Sequence, residues 1–273
     1  MNKIYQVYQV SDSTGETLDR IFISLKAQFP DFQSKTIHYS FTRTKNQVDK
    51  IIVKSKEEKN VIILYTIVNN NLAKYLASKC KINKVPCFEV LGNLISNFSK
   101  LLNQEASHKP SGQHALDEEY YKRIEAVQYT MSHDDGKIIS NLKDSDVILV
   151  GVSRTSKTPT SIYLANRGYK VSNIPIIPNK NLPNELFESS KKICVVGLIC
   201  ESTRLSDVRR NRMQSMHEDR LLNYTNEKKI LSELENSKEI FKKYNWPVID
   251  VTRKSVEETA ASIIKILDIL NSK

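Results

Sequence analysis

The chain has 273 residues and a formal net charge of +10, from 41 Lys and Arg against 31 Asp and Glu. Hydrophobic residues make up 40% and charged residues 26%, which is typical of a soluble globular protein and excludes collagen-like or highly charged disordered chains. No apolar run approaches the roughly 20 residues that span a bilayer, and Gln6 and Gln9 interrupt any signal-peptide core. We therefore expect a cytoplasmic protein with no membrane partner.

The remaining composition argues against metal centres and nucleic acid. The 4 cysteines form no C-x-x-C pair and the 5 histidines are scattered, so we expect neither zinc sites nor disulfides. Basic residues are spread along the chain without interleaved aromatics, so nucleic-acid binding is not expected.

The first hundred residues alternate between strand-like and helix-like segments. Strand-like runs are Ile4–Val10, Thr36–Phe41, Val61–Val68 and Cys87–Leu91. Helical spacing places a second set of apolar residues on one face: Leu18, Ile21, Phe22, Leu25 and Phe29. Another helix is predicted over Asn70–Lys81. This βαβ series predicts a mostly parallel sheet covered by helices.

A polar segment, Ser107–His114, predicts a loop or domain boundary, and a charged helix over Leu116–Met131 follows it. A second alternating series then gives strands Asp146–Val152, Val171–Ile177, Ile193–Ile199 and Pro247–Val251. Its helices follow residue 158, cover 203–222 and 226–244, and end with one that has a capping box at Ser255 and Glu258. Apolar residues of this last helix, spaced at Val256, Ala260, Ile263, Leu267 and Leu270, are expected to face the sheet.

The predicted fold class is therefore α/β, with two mostly parallel βαβ segments, the C-terminal one a P-loop kinase-like nucleotide-binding domain. We predict an N-terminal α/β domain over 1–106, a helical connector over 107–140 and the nucleotide-binding catalytic domain over 141–273.

Residues 146–158 carry the clearest motif, Asp-Val-Ile-Leu-Val-Gly-Val-Ser-Arg-Thr-Ser-Lys-Thr. The spacing from Gly151 to Lys157 matches the pattern G-x-x-x-x-G-K-[ST], except that Ser156 replaces the second glycine. In such a loop, backbone N–H groups wrap an anion, the lysine reaches the terminal phosphates and the hydroxyl holds Mg²⁺. We favour this interpretation over an ordinary βα turn.

The predicted phosphate site consists of Gly151, Val152, Ser153, Arg154, Thr155, Ser156, Lys157 and Thr158. Lys157 is expected to be an exposed loop lysine, and Arg154 is a second cation beside the phosphates. Thr158 is the candidate ligand for Mg²⁺.

Residues 11–17, Ser-Asp-Ser-Thr-Gly-Glu-Thr, follow the first strand and precede a helix. Hydroxyl and N–H groups at a helix N-terminus can bind an anion, and Asp12 can contact a metal or a substrate hydroxyl. Composition alone favours an ordinary polar turn with Thr14 or Thr17 as the N-cap. The candidate substrate-binding residues in this segment are Asp12, Ser13, Thr14 and Gly15.

Residues 133–136, His-Asp-Asp-Gly, place two carboxylates beside an imidazole. A kinase needs a carboxylate to orient or deprotonate the attacking hydroxyl. His133, Asp134 and Asp135 are therefore candidate catalytic residues, together with Lys157 and Arg154. Composition alone favours a helix C-terminus capped by glycine.

Four arginines cluster on the helix predicted over 203–222: Arg204, Arg209, Arg210 and Arg212. Arginines near a P-loop can neutralise charge during phosphoryl transfer or bind an acidic protein surface, and a solvated helix face is an equal alternative. Arg209 and Arg212 are the candidate substrate-binding residues of this cluster. No clear Walker B aspartate ends the strand at 193–199.

Taken together, these motifs resemble the pyruvate, phosphate dikinase regulatory protein family, whose close relatives regulate phosphoenolpyruvate synthase. The matching segments are Val10–Thr17, His133–Gly136, Gly151–Pro159, Ala165–Tyr169, Gly197 with Leu198, and Trp246–Thr252. The resemblance runs essentially end to end, and Ser156 in place of glycine is normal for this family.

The resemblance implies a bifunctional enzyme. It implies an ADP-dependent kinase that phosphorylates a threonine of the dikinase or synthase, near the target's catalytic histidine. It also implies that inorganic phosphate removes this group by phosphorolysis, with pyrophosphate as product. It implies that segment 151–158 binds ADP and that segments 11–17 and 133–136 are functional. We expect Mg²⁺ as a cofactor and a homodimer. Two alternatives stay open: an ATP-dependent small-molecule kinase, and a non-catalytic nucleotide sensor that binds a partner protein.

Overall fold

A computed structural model describes residues 3–112, 118–136, 140–216 and 224–272. The chain forms two compact units, residues 1–115 and 116–273. Each unit alternates strands with helices, as the sequence predicts. Within the described residues, no helix is both long and apolar enough to cross a membrane.

The first unit begins with a strand and ends with a helix. Its elements are β1 (Tyr5–Ser11), α1 (Glu16–Lys26), β2 (Ser34–Tyr39), α2 (Lys45–Glu57), β3 (Val61–Thr66), α3 (Asn70–Ile82), β4 (Cys87–Glu89) and α4 (Gly92–Leu102). All pairs in its sheet are parallel, and the strand order is β2-β1-β3-β4.

The second unit begins with helix α5 (Glu118–Ser132), which packs on elements of the second sheet and belongs to this unit. The elements that follow are 3₁₀ turns at Asp134–Gly136 and Leu142–Asp144, β5 (Val147–Gly151), α6 (Lys157–Ala165), β6 (Val171–Pro175), α7 (Asn184–Ser189), β7 (Cys194–Ile199), α8 (Ser202–Met216), α9 (Glu227–Lys243), β8 (Val248–Asp250) and α10 (Val256–Asn271). The second sheet is also parallel, with the order β6-β5-β7-β8.

Burial on both faces explains why the sequence of β5 is an unbroken apolar run. All five residues of Val147–Gly151 are buried, because a parallel strand in the middle of such a sheet is covered by helices on both faces. The last helix, α10, packs on α6 and β7. Its Ala260, Ile263 and Leu267 are buried, as the sequence predicts, whereas Leu270 is exposed.

The predicted α/β class with two mostly parallel sheets is confirmed. The first helix is shorter than its apolar spacing suggests: α1 ends at Lys26, and Phe29 is exposed. Pro30 follows Phe29 directly, and a residue before proline avoids the α conformation. Of the predicted segments, Gln113 and His114, Leu116 and Asp117, and the helical extension over 217–222 lie outside the described residues.

Candidate functional site

The loop between β5 and α6 begins at Gly151, where the backbone passes close to the neighbouring strand. A Cβ on Gly151 would lie 2.5 Å from the backbone oxygen of Leu198 and 2.9 Å from Thr155 Oγ1, so only glycine fits. Farther along, Arg154 and Ser156 adopt left-handed φ angles of 73° and 57°. Two non-glycine residues in this region mark a tightly wound loop that the surrounding structure must hold.

Lys157 is the first residue of α6, and its side chain turns back into this loop. Its Nζ donates to the carbonyl oxygen of Val152 at 2.9 Å, and only 4% of the residue is exposed. Burial lowers the pKa of Lys157 to about 8, although Asp135 and Asp134 act to raise it. The expectation of an exposed loop lysine is therefore wrong, because the ammonium group bonds inside the loop.

Thr158 is joined to the 133–136 segment by a compact hydrogen-bond triangle. Thr158 Oγ1 donates to Asp134 Oδ1 at 2.9 Å, and Asn173 Nδ2 donates to the same oxygen at 2.5 Å. Asn173 Nδ2 also lies 3.1 Å from Thr158 Oγ1. Asn173 belongs to β6, is fully buried, and its Oδ1 has no partner within the described residues. Asp134 is thus the carboxylate that the fold places against the threonine at the start of α6.

Asp135 and His133 flank Asp134 but have opposite environments. Asp135 is exposed and has a left-handed φ of 52°, so the backbone leaves the helical path of α5 at this residue. His133 is buried: its Nδ1 lies 2.9 Å from the carbonyl oxygen of Tyr129 and its Nε2 lies 3.1 Å from that of Ser140. Both imidazole nitrogens therefore face backbone acceptors, whereas the carboxylate of Asp135 is open to a substrate.

Arg209 supports the phosphate loop from the other side. Its side chain is 1% exposed, pairs with Glu233 at 2.6 Å and donates to the carbonyl oxygen of Ser153 at 3.3 Å. The guanidinium carbon also lies 4.6 Å from the centre of the Tyr224 ring, and the Tyr224 hydroxyl lies 2.9 Å from Ser153 Oγ. Arg209 thus supports the loop from below the protein surface, and its Nε has no hydrogen-bond partner within the described residues.

A family model described as kinase/pyrophosphorylase matches residues 7–264. The chain belongs to the kinase/pyrophosphorylase family. It is 60% identical, over 98% of each chain, to a protein named pyruvate, phosphate dikinase regulatory protein from Pelagibacter ubique. Proteins of the same name from Bartonella tribocorum and Chelativorans are 43% and 41% identical, over 97% and 96% of this chain and 96% of each relative.

Family membership makes this protein a phosphotransferase, which agrees with the chemistry of the loop. Membership of this family implies that the protein uses a nucleotide and phosphate, and the β5–α6 loop stays the candidate site for the phosphate groups. The two remaining cations differ in position. Arg154 is exposed and lies close enough to Lys157 to lower its pKa, whereas Arg212 is exposed on α8.

The first unit also has a small cavity, at the candidate segment 11–17. The cavity measures about 190 Å³, and Ser13, Gly15 and Lys109 are among its lining residues. Asp12 is buried beside it, and its Oδ2 accepts a hydrogen bond from the amide of Val68 at 2.8 Å.

The remaining members of this segment form local contacts. Ser13 Oγ lies 2.9 Å from Ser111 Oγ, and the carbonyl oxygen of Thr14 accepts a bond from Ser40 Oγ at 2.6 Å. Gly15 has a φ of 92° and precedes α1 without a side-chain cap, so neither Thr14 nor Thr17 is the N-cap residue.

Oxygen ligands for a divalent cation are present but few. No group of three or more His, Cys, Asp or Glu in the described ranges could hold a metal. Thr158 Oγ1 and Asp134 Oδ1 nevertheless lie side by side, and hydroxyl and carboxylate oxygens are the ligand types that Mg²⁺ prefers. Because Mg²⁺ keeps several waters and takes phosphate oxygens when a nucleotide is bound, two protein ligands are sufficient for this class of site.

Sequence reasoning missed three residues of this site: Asn173, Tyr224 and Glu233. For Asn173 a signal existed, because a carboxamide within a buried strand needs a polar partner. Tyr224 and Glu233 gave no comparable signal, since both reach the loop only through the tertiary fold.

Proposed function

We propose that this phosphotransferase is an ADP-dependent protein threonine kinase and a phosphate-dependent pyrophosphorylase that acts on pyruvate, phosphate dikinase. The names of its relatives support the target, and the family description supports the paired activities. The observation that carries the proposal is the loop itself: a buried Lys157 inside a P-loop whose threonine bonds Asp134.

In the kinase direction, the target threonine Oγ attacks the β-phosphorus of ADP. The bond from that phosphorus to the oxygen of AMP breaks, and the threonine proton passes to the Asp135 carboxylate. Asp135 suits this role because it is exposed beside the loop. Lys157 neutralises charge on the transferred group, and electrostatic positioning of this kind dominates phosphoryl transfer.

In the reverse direction, an oxygen of inorganic phosphate attacks the phosphothreonine. The phosphorus–Oγ bond breaks, pyrophosphate leaves, and the threonine oxygen takes back a proton from Asp135. The position vacated by AMP can hold the attacking phosphate, so one cationic loop serves both reactions. Arg154 adds a second positive charge beside Lys157 at this position.

Thr158 and Asp134 would hold Mg²⁺, which supplies charge neutralisation at the phosphates when it is bound. The remaining groups act by positioning. His133 fixes the turn through its two carbonyl contacts, and its backbone oxygen accepts from the amide of Asn173 at 3.0 Å. Arg209 and Arg212 were candidate substrate contacts; we assign Arg209 to loop support and keep Arg212 as a candidate contact to the target.

The test is transfer from ADP labelled at the β-phosphate to purified pyruvate, phosphate dikinase, followed by mapping of the modified residue. We expect AMP release, label on a threonine, and pyrophosphate when phosphate is added to the phosphorylated target. The same incubation with phosphoenolpyruvate synthase distinguishes the two targets. We also expect ADP to outcompete ATP as donor.

Other outcomes support the two alternatives. Transfer from ATP to a small molecule without a protein target would identify a small-molecule kinase. ADP binding and target binding without transfer would identify a nucleotide sensor. Release of free phosphate by water would contradict the shared-loop mechanism. We further propose that the protein is cytoplasmic and forms a homodimer. Light scattering of the purified protein tests the dimer directly.

A further inference from the structure

A groove of about 780 Å³ lies in the second unit between the segment after β6 and helix α9. One part of its lining is apolar, with Ile176, Phe187 and Ile240. The other part carries the side-chain amides of Asn181, Asn184 and Asn236. An apolar surface with a few polar groups and this volume is typical of a small-molecule site.

The groove is joined to the phosphate loop at two places. The amide of Ile176, in its lining, donates to the carbonyl oxygen of Gly151 at 3.0 Å. Glu233, also in its lining, pairs with Arg209, which donates to the carbonyl oxygen of Ser153. Gly151 of the loop is thus bonded to a residue that lines the groove, and Ser153 is bonded to Arg209, whose ion-pair partner Glu233 lines it. The groove and the phosphate loop therefore have bonded neighbours in common, which makes the groove the candidate for the part of a ligand that extends beyond its phosphates.

The three asparagine amides have unused hydrogen-bonding capacity. Within the described part of the chain, the side chains of Asn181, Asn184 and Asn236 make no hydrogen bond. Each amide offers a donor and an acceptor, and this pair matches the donor and acceptor on the edge of an adenine base. The ring of Phe187 provides an apolar and aromatic surface of the kind against which bases pack.

We propose that this groove is the nucleoside subsite of the phosphate loop and receives the purine and ribose of a nucleoside diphosphate. This inference rests on the proposed function, because it assumes that the diphosphate occupies the loop. It assigns base recognition to the asparagine amides, and phosphate recognition to the loop around Lys157. The two parts of the ligand are therefore separable by mutation.

The test compares ADP with pyrophosphate, which has the phosphates but no nucleoside. We expect the double variant Asn181→Ala, Asn236→Ala to lose about tenfold or more in ADP affinity, from loss of base hydrogen bonds. Pyrophosphate affinity should be unchanged. The matched control is Asn211→Ala, because Asn211 is exposed on α8 and lies outside the groove. Since all three side chains are exposed, each variant should fold, and circular dichroism checks this.

Lys157→Ala separates failure of the subsite from failure of the function. If Lys157→Ala weakens both ligands while the double variant weakens neither, the groove assignment is overturned and the phosphate loop stands. If Lys157→Ala leaves both affinities unchanged, the proposed function itself fails. Photolabelling with 8-azido-ADP locates the bound base directly. Label in residues 176–187 or 232–244 supports the subsite, and label elsewhere overturns it.

Discussion

The two units of this protein have the same sheet topology but different chemistry. In each, the first strand of the unit lies inside a parallel sheet, with the second strand on one side and the third on the other: β2-β1-β3-β4 and β6-β5-β7-β8. Connections leave such a sheet in opposite directions at this point, and the crevice formed there is the usual ligand site of open α/β sheets. The loops that follow β1 and β5 therefore have equivalent positions in their sheets.

The buried charge differs between these two loops. After β1 it is the carboxylate of Asp12, which accepts the amide of Val68. After β5 it is the ammonium of Lys157, which bonds the carbonyl oxygen of Val152. The shared topology predicts a crevice in both units, and we propose that the sign of the buried charge makes the second crevice the better site for phosphate. Function therefore depends on the site and does not follow from the fold.

The largest expected effect comes from removing the buried cation. Lys157→Ala should lower phosphoryl transfer from ADP by about 10²–10³-fold, the usual effect of deleting one group that stabilises transition-state charge. The fold should survive, because burial already disfavours the charged form of this lysine. Transfer assays and thermal unfolding measure the two effects. Lys265→Ala, on the exposed face of α10, is the control. Near-normal transfer by Lys157→Ala would mean that the buried charge does not distinguish the function of the loop after β5 from that of the loop after β1.

Asp135→Asn should be the next largest change. Loss of a general base lowers turnover by about 10²–10⁴-fold, while ADP affinity should remain, since the base acts on the hydroxyl and not on the nucleotide. Single-turnover transfer and ADP titration separate the two quantities. Asp134→Asn should instead raise the Mg²⁺ concentration required, because it removes the partner of Thr158. Full activity in both variants would leave segment 133–136 with a capping role alone.

The pH dependence of ADP affinity gives a smaller effect. Lys157 has a pKa near 8 in the folded protein, so its charged form is lost as pH rises through that value. A bound anion favours the charged form, and ADP affinity should fall by up to about tenfold per pH unit above about pH 8. Calorimetry in buffers of different ionisation enthalpy should show proton uptake. In Lys157→Ala the ADP affinity should not change with pH over this range. If the variant shows the same pH dependence, that dependence belongs to another titratable group.

Folding stability should show the opposite trend in that range. The unfolded chain holds the Lys157 proton up to its ordinary pKa of 10.5, whereas the folded chain releases it near 8. The unfolded state therefore binds more protons between these values, and the contribution of Lys157 to stability rises with pH there.

The smallest effect is expected in the first loop. Asp12→Asn weakens the charge-assisted bond to the Val68 amide and should lower the free energy of unfolding by about 1–2 kcal/mol. ADP affinity should not change, because the charge that suits phosphate lies in the other unit. Urea unfolding and ADP titration test both points, with the exposed Asp31→Asn as control. A large loss of ADP affinity would contradict the assignment of phosphate binding to the second unit alone.

Local patterns predicted the frame of the molecule well. The buried run of β5 and the spacing from Gly151 to Thr158 are short-range features, so the strand, loop and helix follow from sequence. The proposed carboxylate partner of Thr158 was harder to place. Asp134 precedes the loop and reaches Thr158 only because α5 packs on α6.

Burial and remote contacts could not be predicted. The motif around Lys157 predicts a solvent-exposed lysine. Its burial depends on the fold of the loop around Val152, whose carbonyl oxygen accepts the ammonium hydrogen bond. The support from Arg209 joins residues 56 positions apart in the chain, and no periodic pattern encodes such a contact. Helix α4 was also not predicted, although apolar residues at helical spacing give it an amphipathic sequence; within the described residues none of its side chains is buried.

The aromatic cluster beside the groove has a practical consequence. The chain contains 1 tryptophan, Trp246, whose ring lies 5.3 Å from that of Tyr244 and 6.2 Å from that of Phe187. Both neighbours line the groove, so a ligand that moves either ring changes the surroundings of the indole. Emission excited selectively from this one indole, and not from the 12 tyrosines, therefore offers a label-free signal for occupancy of the groove.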